Sequence, residues 1–477
     1  MKPFRVAIWM TLLAAVAAAQ DHAPNFLLII ADDVTYNDLP LYGGPNIQTP
    51  NIDRLAAQGI TFDRAYLSMA MCNPSRTELY TGLYPFRNGS TWNHSAARSG
   101  TRSVVHHLGK LGYRVGLSGK KHVLPEASFE FEDVPGVPNP RGKIAQPDFD
   151  TNPIQSFMSR DGDQPFFLVT AFHEAHGPWT VGRPEAFDLD ELVLPENLAD
   201  TPRTREHLAS YLAEIVVLDW EIGRLLAALD ASGQADNTVV LFTSEQGSQY
   251  PGNKWTNWNT GVHTAMTVRW PGRIKPGGRT DALVQYADVL PTFIDAAGGS
   301  PDGLDGTSFL PVLLGKSSVH RDYAYFMHNN IPEGPPYPIR AITDGTWHYI
   351  RNLMPERIYI EKHVMGGFRP DQYWETWMAA SGPSNERPAN TKAIELLNRF
   401  MHRPPEHLYH TPDDPYQMNN RVGDQSLRSV RERLSAALGR WMQSQGDPGS
   451  AIDTEAQWRA AREGRHQTTV MPASEER

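Results

Sequence analysis

At residues 25–30 the sequence reads Asn25-Phe26-Leu27-Leu28-Ile29-Ile30, an apolar run bounded by Pro24 and the acidic pair Asp32-Asp33. A continuous apolar run of this length is typical of a strand that is buried on both faces, as in a mostly parallel sheet. A second run, residues 238–243, follows a stretch with helical spacing from about residue 204 to residue 231. Helices that alternate with buried strands predict an α/β fold with a large mixed, mostly parallel sheet sandwiched by helices.

The sequence pattern changes after Gly315. Short strand-like runs at residues 323–326, 339–342 and 347–350, then a helical pattern over residues 424–443, predict a smaller C-terminal α+β domain. The expected division of the chain is a large domain over residues 20–315, the smaller domain with an antiparallel sheet and a helix over residues 316–445, and a polar tail over residues 446–477. The tail carries little pattern, so no regular structure is predicted there.

The first residues predict a secretory signal peptide. A basic start, Met1 to Arg5, precedes an apolar run from Val6 to Ala18, and the run ends in small residues. We expect residues 1–19 to be removed and the mature chain to be exported, as a periplasmic or secreted protein. A buried N-terminal helix is the alternative, but the run has no polar face. It is short for a membrane span and no later stretch is long enough, so stable membrane insertion is not expected.

Charge and cysteine content exclude several functions. The 477 residues carry 44 lysines and arginines against 54 acidic residues, a net charge of −10. Nucleic acid is therefore not an expected partner, because phosphate binding needs a basic face. The chain has a single cysteine, Cys72. It can form neither an intramolecular disulfide nor a thiolate zinc site, so any function of Cys72 uses one sulfur.

Cys72 lies in the segment Cys72-Asn73-Pro74-Ser75-Arg76, which Gly82 follows six residues later. Pro74 suits a first helical position and Gly82 a helix end, so Cys72 is expected just ahead of a helix N-terminus, where backbone amides favour an anion. Position alone does not decide its role, because a lone cysteine is more often a small buried apolar residue than a reactive one.

The same segment matches the Cys-x-Pro-Ser-Arg signature, and the chain resembles the type I, formylglycine-dependent sulfatases of the alkaline-phosphatase superfamily. The resemblance runs from Asn25 to about Asn420, and its motifs follow the family's order. These motifs are Leu28-Ile29-Ile30-Ala31-Asp32-Asp33, Gly119-Lys120-Lys121-His122, His173-Glu174-Ala175-His176-Gly177-Pro178, Thr243-Ser244-Glu245-Gln246-Gly247, Asp288-Val289-Leu290-Pro291-Thr292, Asp305-Gly306, Leu408-Tyr409 and Asp414-Pro415.

The resemblance implies that a maturation enzyme, the formylglycine-generating enzyme, oxidises Cys72 to formylglycine. One hydroxyl of the hydrated aldehyde then attacks sulfur and the alcohol leaves, giving a sulfated hemiacetal. Loss of the proton from the second hydroxyl lets this collapse to the aldehyde, and the C–O bond to sulfate breaks. It also implies the roles of five further residues. Arg76 holds the hydrate, Lys120 and Lys254 bind sulfate oxygens, His122 acts on the hydrate proton, and His176 protonates the leaving oxygen.

A Ca²⁺ site is expected from Asp32, Asp33, Glu245 and Gln246 together with residue 72. Carboxylate and amide oxygens suit Ca²⁺, and these residues follow two predicted strands. Alone, Asp32-Asp33 would be read as a helix cap or a turn. Glu245-Gln246 stands where the family has Asp-Asn, and Ca²⁺ geometry tolerates the added methylene groups. His263 stands where many relatives have arginine, and the sequence offers no functional explanation for it.

The predicted substrate is a sulfated polysaccharide or oligosaccharide. His94 and Arg340 are the candidate substrate-binding residues beyond the sulfate site, among aromatic residues in nearby loops: Trp92, Trp179, Trp255 and Tyr337. Aromatic rings with basic groups suit a sulfated sugar, although each ring is equally well explained by packing.

Three alternatives remain open on the sequence. A sulfamidase acting on N-sulfoglucosamine fits the same motifs. A phosphonate or phosphate monoester hydrolase shares the superfamily, but usually needs different metal ligands. A non-catalytic binder of sulfated glycans is disfavoured, because Cys72, Arg76, Lys120, His122, His176 and Lys254 are all present.

Overall fold

The structure is a computed structural model that describes residues 23–138, 149–162, 164–365, 373–382 and 389–463. The predicted signal peptide, residues 1–19, lies outside the described residues. Among the residues that are described, no helix combines the length and the apolar character of a membrane span.

The strands and helices of the described residues alternate along most of the chain. In chain order the strands are β1 (Asn25–Ala31), β2 (Ile60–Phe62), β3 (Ala65–Tyr66), β4 (Arg114–Gly119), β5 (Glu132–Asp133), β6 (Phe166–Ala171), β7 (Thr238–Ser244), β8 (Met266–Arg269), β9 (Gly278–Thr280), β10 (Val284–Gln285), β11 (Ala324–His328), β12 (Ile339–Thr343), β13 (Trp347–Asn352) and β14 (Glu406–His410). The helices are α1 (Pro50–Ala57), α2 (Cys72–Thr81), α3 (Pro85–Asn88), α4 (Val104–Lys110), α5 (Thr151–Ser159), α6 (Pro202–Ala231), α7 (Asn259–Val262), α8 (Val289–Ala296), α9 (Leu310–Leu313), α10 (Lys362–Met365), α11 (Tyr373–Ser381), α12 (Thr391–Met401), α13 (Arg428–Ser444) and α14 (Glu455–Arg462).

The large sheet has the strand order β5-β4-β6-β1-β7-β8-β2-β9. Strands β5, β4, β6, β1 and β7 run parallel to one another, β8 is antiparallel to β7 and β2, and β9 is parallel to β2. This confirms the predicted mixed, mostly parallel sheet.

Strand β1 lies in the middle of this sheet, between β6 and β7. All seven of its residues are buried, and Leu28 lies opposite Val169 of β6 and Leu241 of β7. Complete burial of such a side chain stabilises the fold by about 1.5–3 kcal/mol. Because β1, β4, β6 and β7 are parallel, the loops after their carboxyl ends meet at one edge of the sheet, where α/β proteins bind ligands.

Helix α6 is the longest described helix, with 30 residues, and confirms the helix predicted from about residue 204 to residue 231. Pro202 begins it, and Thr201 caps it by accepting a hydrogen bond at Oγ1 from the amide of Thr204 at 3.1 Å. The helix packs on α1 and α5.

The smaller domain contains the antiparallel sheet β11-β12-β13-β14, against which α13 packs. This confirms the predicted α+β domain. The helix predicted from residue 424 begins at Arg428, because Asp424 caps a short 3₁₀ turn, Gln425–Leu427, and accepts from the amide of Ser426 at 2.9 Å.

The predicted tail is structured as far as it is described, to residue 463. Helix α14 lies within it, and Thr454 caps this helix by accepting at Oγ1 from the amide of Gln457 at 3.3 Å. Asp453 is fully buried and accepts from the amides of Asn330 at 3.0 Å and Tyr337 at 2.7 Å. The expectation that the tail has no regular structure is wrong for residues 446–463. Helix caps and buried carboxylates are polar residues, so the sequence of this segment looks like that of a solvated tail.

Candidate active site

Cys72 is the first residue of α2, and its side chain faces a set of donors. The residue is 2% exposed, and its Sγ lies 3.0 Å from Lys254 Nζ and 3.2 Å from Gln246 Nε2. Burial, then the charge of Glu245, raises the pKa of the Cys72 thiol to about 12. An unmodified thiol here stays protonated and is a poor nucleophile.

The acidic residues of the site come from two neighbouring strands. Asp32 and Asp33 follow β1, Glu245 and Gln246 follow β7, and the last residues of these strands, Ala31 and Ser244, lie side by side. The four residues that follow the strands, Asp32, Asp33, Glu245 and Gln246, are fully buried. Strand pairing therefore brings together two motifs that are more than 200 residues apart.

Three basic side chains are paired with these carboxylates. Lys120 Nζ donates to Asp32, Lys254 Nζ donates to Asp33 Oδ2 at 2.8 Å, and Arg76 donates through Nη2 to Glu245 Oε2 at 2.5 Å. Burial is the largest influence on Asp33 and opposes its ionisation, but Lys254, His176 and Lys120 together hold the pKa of that carboxyl below its usual value. Burial also opposes the charge of Lys254, yet Asp33 raises the pKa of its ammonium well above the ordinary value. Lys254 therefore stays positive beside residue 72.

The predicted catalytic histidines lie at the same edge of the sheet. His122 Nε2 is 2.8 Å from Nδ1 of His94, which is exposed at the mouth of the site. Burial, followed by Lys120, lowers the pKa of His122 to about 2, so its imidazole is neutral. His176 donates through Nδ1 to the carbonyl of Gly177 at 2.8 Å, and burial lowers its pKa as well.

Three supporting residues were not singled out in the sequence. Gln249 donates through Nε2 to Asp33 Oδ2 at 3.0 Å and lies 3.2 Å from His176 Nε2. Ser75 donates to Glu245 Oε1 at 3.0 Å. Asn73 donates through Nδ2 to the carbonyl of His122 at 3.1 Å. Ser75 and Asn73 lie inside the Cys72 segment, and that position is the signal that would have revealed them.

The donor set fits a hard divalent cation. Ligand atoms of Asp32, Asp33 and Cys72 lie within 4.8 Å of one another. Gln246 Nε2 lies 2.5 Å from Asp33 Oδ1, and turning this amide over brings its oxygen to face Asp33 and residue 72. Several carboxylate and amide oxygens close together are the ligands that Ca²⁺ prefers.

Arg340 does not lie at this site. It belongs to β12, has no exposed surface, and donates to Asp447 through Nε at 2.6 Å and Nη2 at 3.0 Å. Its Nη1 donates to backbone and side-chain oxygens of the smaller domain, including Asn329 Oδ1 at 3.1 Å. The prediction that Arg340 binds substrate is therefore wrong: the guanidinium is used inside the fold.

We expect Asp447→Ala to destabilise the protein by about 3–5 kcal/mol, because it leaves the buried guanidinium of Arg340 without its carboxylate. Urea unfolding measures this change. The matched control is Glu395→Ala, which breaks an exposed pair with Lys392 of 3.4 Å and is expected to cost about 0–1 kcal/mol. Equal costs for the two variants would contradict a structural role for the Arg340–Asp447 pair.

The candidate aromatic residues divide between packing and the site. Tyr337 is fully buried and packs on Tyr359, with ring centroids 5.2 Å apart, so it cannot stack on a sugar. Trp255 is 2% exposed, and Lys254 Nζ lies 5.0 Å from its ring centroid. His263 is also explained by packing, because its ring stacks on Tyr36 at 3.7 Å.

A cavity of about 760 Å³ opens at this edge of the sheet, and its lining includes Lys120, His122, His173 and His176. It extends along Lys121, Glu126 and residues 131–133. The volume accommodates a ligand of the size of a sugar unit, and basic side chains form part of the wall.

Comparisons with known proteins agree with this geometry. A family model described as Sulfatase matches residues 24–300, and one described as N-sulphoglucosamine sulphohydrolase, C-terminal, matches residues 253–353. The chain is 32% identical over 441 residues to an ulvan-active sulfatase of Formosa agariphila, covering 90% of this chain and 82% of that one. It is 27% identical over 483 residues to the N-sulphoglucosamine sulphohydrolase of Homo sapiens, covering 92% and 93%. A solved structure in complex with its substrate D-glucosamine-2-N,6-O-disulfate has a TM-score of 0.66 at 20% identity, covering 90% of this chain and 99% of that one, a likeness of fold.

Proposed function

The chain belongs to the sulfatase family of sulfuric ester hydrolases, and we propose that it removes sulfate from a sulfated polysaccharide or oligosaccharide with a formylglycine made from Cys72. The observation that carries this proposal is the 3.0 Å contact of Cys72 Sγ with Lys254 Nζ, beside the carboxylates of Asp32 and Asp33. We also propose that the enzyme is exported, on the pattern of residues 1–19, and that a formylglycine-generating enzyme matures it.

The need for the modification follows from the thiol itself. A pKa of about 12 leaves Cys72 uncharged, and two N–H donors face its sulfur. Of these two, the Lys254 ammonium stays a donor whichever way the Gln246 amide is turned, and it suits an oxygen at residue 72 better than a thiol. The hydrated aldehyde would supply a hydroxyl nucleophile and a second hydroxyl whose proton loss releases sulfate.

The remaining residues have roles that follow from their positions. Lys120 and Lys254 offset the negative charge of the bound sulfate ester. Arg76 fixes the loop after β4, because its Nη1 donates to the carbonyl of Lys120 at 2.6 Å while Nη2 holds Glu245. His122 lines the cavity, and its proposed role is to act on the proton of the hydrate.

His176 is proposed to protonate the leaving oxygen. Its Nδ1 proton is committed to Gly177, so a proton for the substrate has to come from Nε2, the nitrogen that faces Gln249 and Asp33. Asp33 favours the doubly protonated imidazole that this step requires, whereas burial and Lys254 oppose it.

We expect His176→Ala to lower kcat by about 10²–10⁴ for a sugar sulfate, whose alkoxide leaves poorly without a proton. With 4-nitrophenyl sulfate the loss is expected to be much smaller, because nitrophenolate leaves without a proton. Steady-state kinetics with both substrates test this role. Equal losses with the two substrates would contradict it.

Asp32, Asp33, Glu245 and Gln246 are proposed to hold Ca²⁺, which would polarise the sulfate ester when bound. We expect removal of divalent ions to lower activity at least about ten-fold, and Ca²⁺ to restore it better than Mg²⁺, because the ligands are hard oxygens on side chains longer than those of relatives. Activity is measured after chelation, with the metal content determined on the same sample. Full activity in a metal-free sample would remove the proposed ion.

Two observations support a sulfated sugar as the substrate. The cavity is lined by basic and acidic side chains, and the relatives include an ulvan-active sulfatase and an N-sulphoglucosamine sulphohydrolase. A sulfamidase is the second candidate, since residues 253–353 match the C-terminal family model of that enzyme.

The test is a desulfation screen over defined sulfated oligosaccharides that includes O-sulfated and N-sulfated glucosamine. Released sulfate and the linkage of the product are measured, with Cys72→Ser as the inactive control. Release from O-sulfated sugars supports the first candidate, and release from N-sulfated sugars alone supports the second. No release above the Cys72→Ser control from any sulfated sugar would refute both.

A further inference from the structure

A second group of polar and charged side chains lies near the proposed active site. We call it the Glu333 cluster, and its members are Asn93, Glu333, Lys362 and His363. The Glu333 side chain is fully buried. Its Oε1 accepts from Asn93 Nδ2 at 3.0 Å, and its Oε2 accepts from His363 Nε2 at 2.5 Å and lies 3.0 Å from Lys362 Nζ. A buried carboxylate therefore holds two basic side chains next to each other.

Two aromatic contacts link the cluster to residues of the proposed active site. On one side the His363 ring stacks on Trp255, with centroids 5.2 Å apart and planes 9° apart, and Trp255 adjoins Lys254 in the chain. On the other side Asn93 adjoins His94, whose ring contacts His122. His94 Nε2 lies 3.3 Å from Asn93 Nδ2, so the cluster and the His94–His122 pair are neighbours.

The basic side chains of the cluster are partly accessible. The Lys362 side chain is 39% exposed and that of His363 is 33% exposed, whereas Glu333 is not exposed at all. The ammonium and the imidazole therefore reach solvent, whereas the carboxylate that holds them does not. An ammonium has three N–H donors, so it can bind Glu333 and an anion at once.

Glu361 fixes the backbone of this cluster. Its carboxyl oxygens accept from the amides of His363 at 3.0 Å and Val364 at 2.8 Å. Burial, then the charge of Glu333, raises the pKa of Glu361 well above the ordinary value, so it adds no negative charge.

The alternative, a metal site formed by Glu333, Glu361 and His363, does not fit. Ligand atoms of the three lie within 4.8 Å of one another. However, the Lys362 ammonium already lies 3.0 Å from Glu333, and both oxygens of Glu361 are used by backbone amides. The groups of the cluster that reach solvent are the ammonium of Lys362 and the imidazole of His363, and these are donors to an anion rather than ligands of a cation.

We propose that Lys362 and His363, held by Glu333, form a second anion-binding subsite that recognises a second sulfate or a carboxylate on the sulfated sugar. This inference rests on the proposed function, because it names the substrate class of the same site: sugars with two anionic groups. It also assigns His363 and Lys362 a part in specificity, although neither contacts Cys72.

Binding to the Cys72→Ser variant, measured by calorimetry, tests the subsite without turnover. The ligands are D-glucosamine-2-N,6-O-disulfate, a disaccharide of glucuronate and sulfated N-acetylglucosamine, and N-acetylglucosamine-6-O-sulfate as the reference with one charge. We expect at least one of the two doubly charged ligands to bind about ten-fold or more tightly than the reference, as for a charge-assisted contact. The second anionic group of the tighter ligand, a sulfate in the disulfate or a carboxylate in the disaccharide, is the group that the subsite recognises.

Adding Lys362→Ala, alone or with His363→Gln, is expected to reduce this preference to less than about three-fold. Lys392→Ala is the matched control, because this exposed lysine has its own partner in Glu395, and it is expected to keep the full preference. Lys362 is exposed enough for its single variant to fold, which melting temperatures check.

The ratio of the affinities for the doubly and singly charged ligands decides whether the subsite exists. If it persists in the Lys362→Ala/His363→Gln protein, or if all ligands bind Cys72→Ser equally, the subsite is refuted and the proposed function stands. If the wild-type enzyme releases no sulfate from any sugar and Cys72→Ser binds none of the ligands, the proposed function fails, and the subsite fails with it.

Discussion

Replacing Cys72 with alanine is expected to lower the rate of sulfate release on the order of 10⁵-fold or more, as removal of a catalytic nucleophile does. The physical reason is that the neighbouring lysines, carboxylates and histidines are arranged around the atom that residue 72 places at the start of α2. They can bind a sulfate ester without it, but the proposed nucleophile is then missing.

The Cys72→Ser variant separates two explanations for such a loss. Serine supplies a hydroxyl of similar size, but it lacks the second hydroxyl through which a hydrated aldehyde releases sulfate. We expect no more than one turnover per molecule, with a melting temperature close to that of the wild type. Multiple turnovers by Cys72→Ser or Cys72→Ala, in protein purified free of other sulfatases, would contradict the assignment of residue 72.

Lys254→Ala is expected to lower kcat/KM by about 10²–10³, the loss that follows removal of one positioned donor to a developing negative charge. Lys254 is 2% exposed, and its ammonium lies between Asp33 Oδ2 at 2.8 Å and Cys72 Sγ at 3.0 Å. Its loss also leaves Asp33 without its nearest cation, which weakens the attraction for an anionic substrate further.

Lys275→Ala is the matched control for this variant, because Lys275 is an exposed lysine outside the site. We expect its kcat/KM to remain within two-fold of the wild type. A loss of less than about five-fold in Lys254→Ala, with a folded protein, would show that Lys254 does not bind the sulfate group.

The sequence predicted those parts of the fold that depend on local pattern. The run Asn25–Ala31 is apolar at nearly every position because β1 is covered on both faces. Motifs after β1 and β7 could be expected to meet, because the carboxyl ends of parallel strands lie at one edge of a sheet. Thus Asp32, Asp33, Glu245 and Gln246 converge with Cys72, although each motif alone is ambiguous.

The sequence could not predict the position of Arg340. An arginine in a Pro-rich region resembles a substrate-binding residue until its partner is known, and that partner, Asp447, is 107 residues further along the chain. The same limit applies to the Glu333 cluster, since Asn93, Glu333 and His363 meet only through tertiary packing. Long-range pairs of charges have no local sequence signal.

The structure shows how Glu245, which stands where the family has aspartate, is held in place. Glu245 uses one carboxyl oxygen for Arg76 and the other for Ser75, so its longer side chain is held at both oxygens. Its place is thereby fixed by the Cys72 segment itself.

The most direct test of the account is mass spectrometry of the peptide that contains residue 72, isolated from enzyme that has first been shown to release sulfate. The account predicts an aldehyde at this position, which also reacts with a hydrazide reagent. A fully active preparation in which residue 72 is an intact cysteine thiol would contradict it.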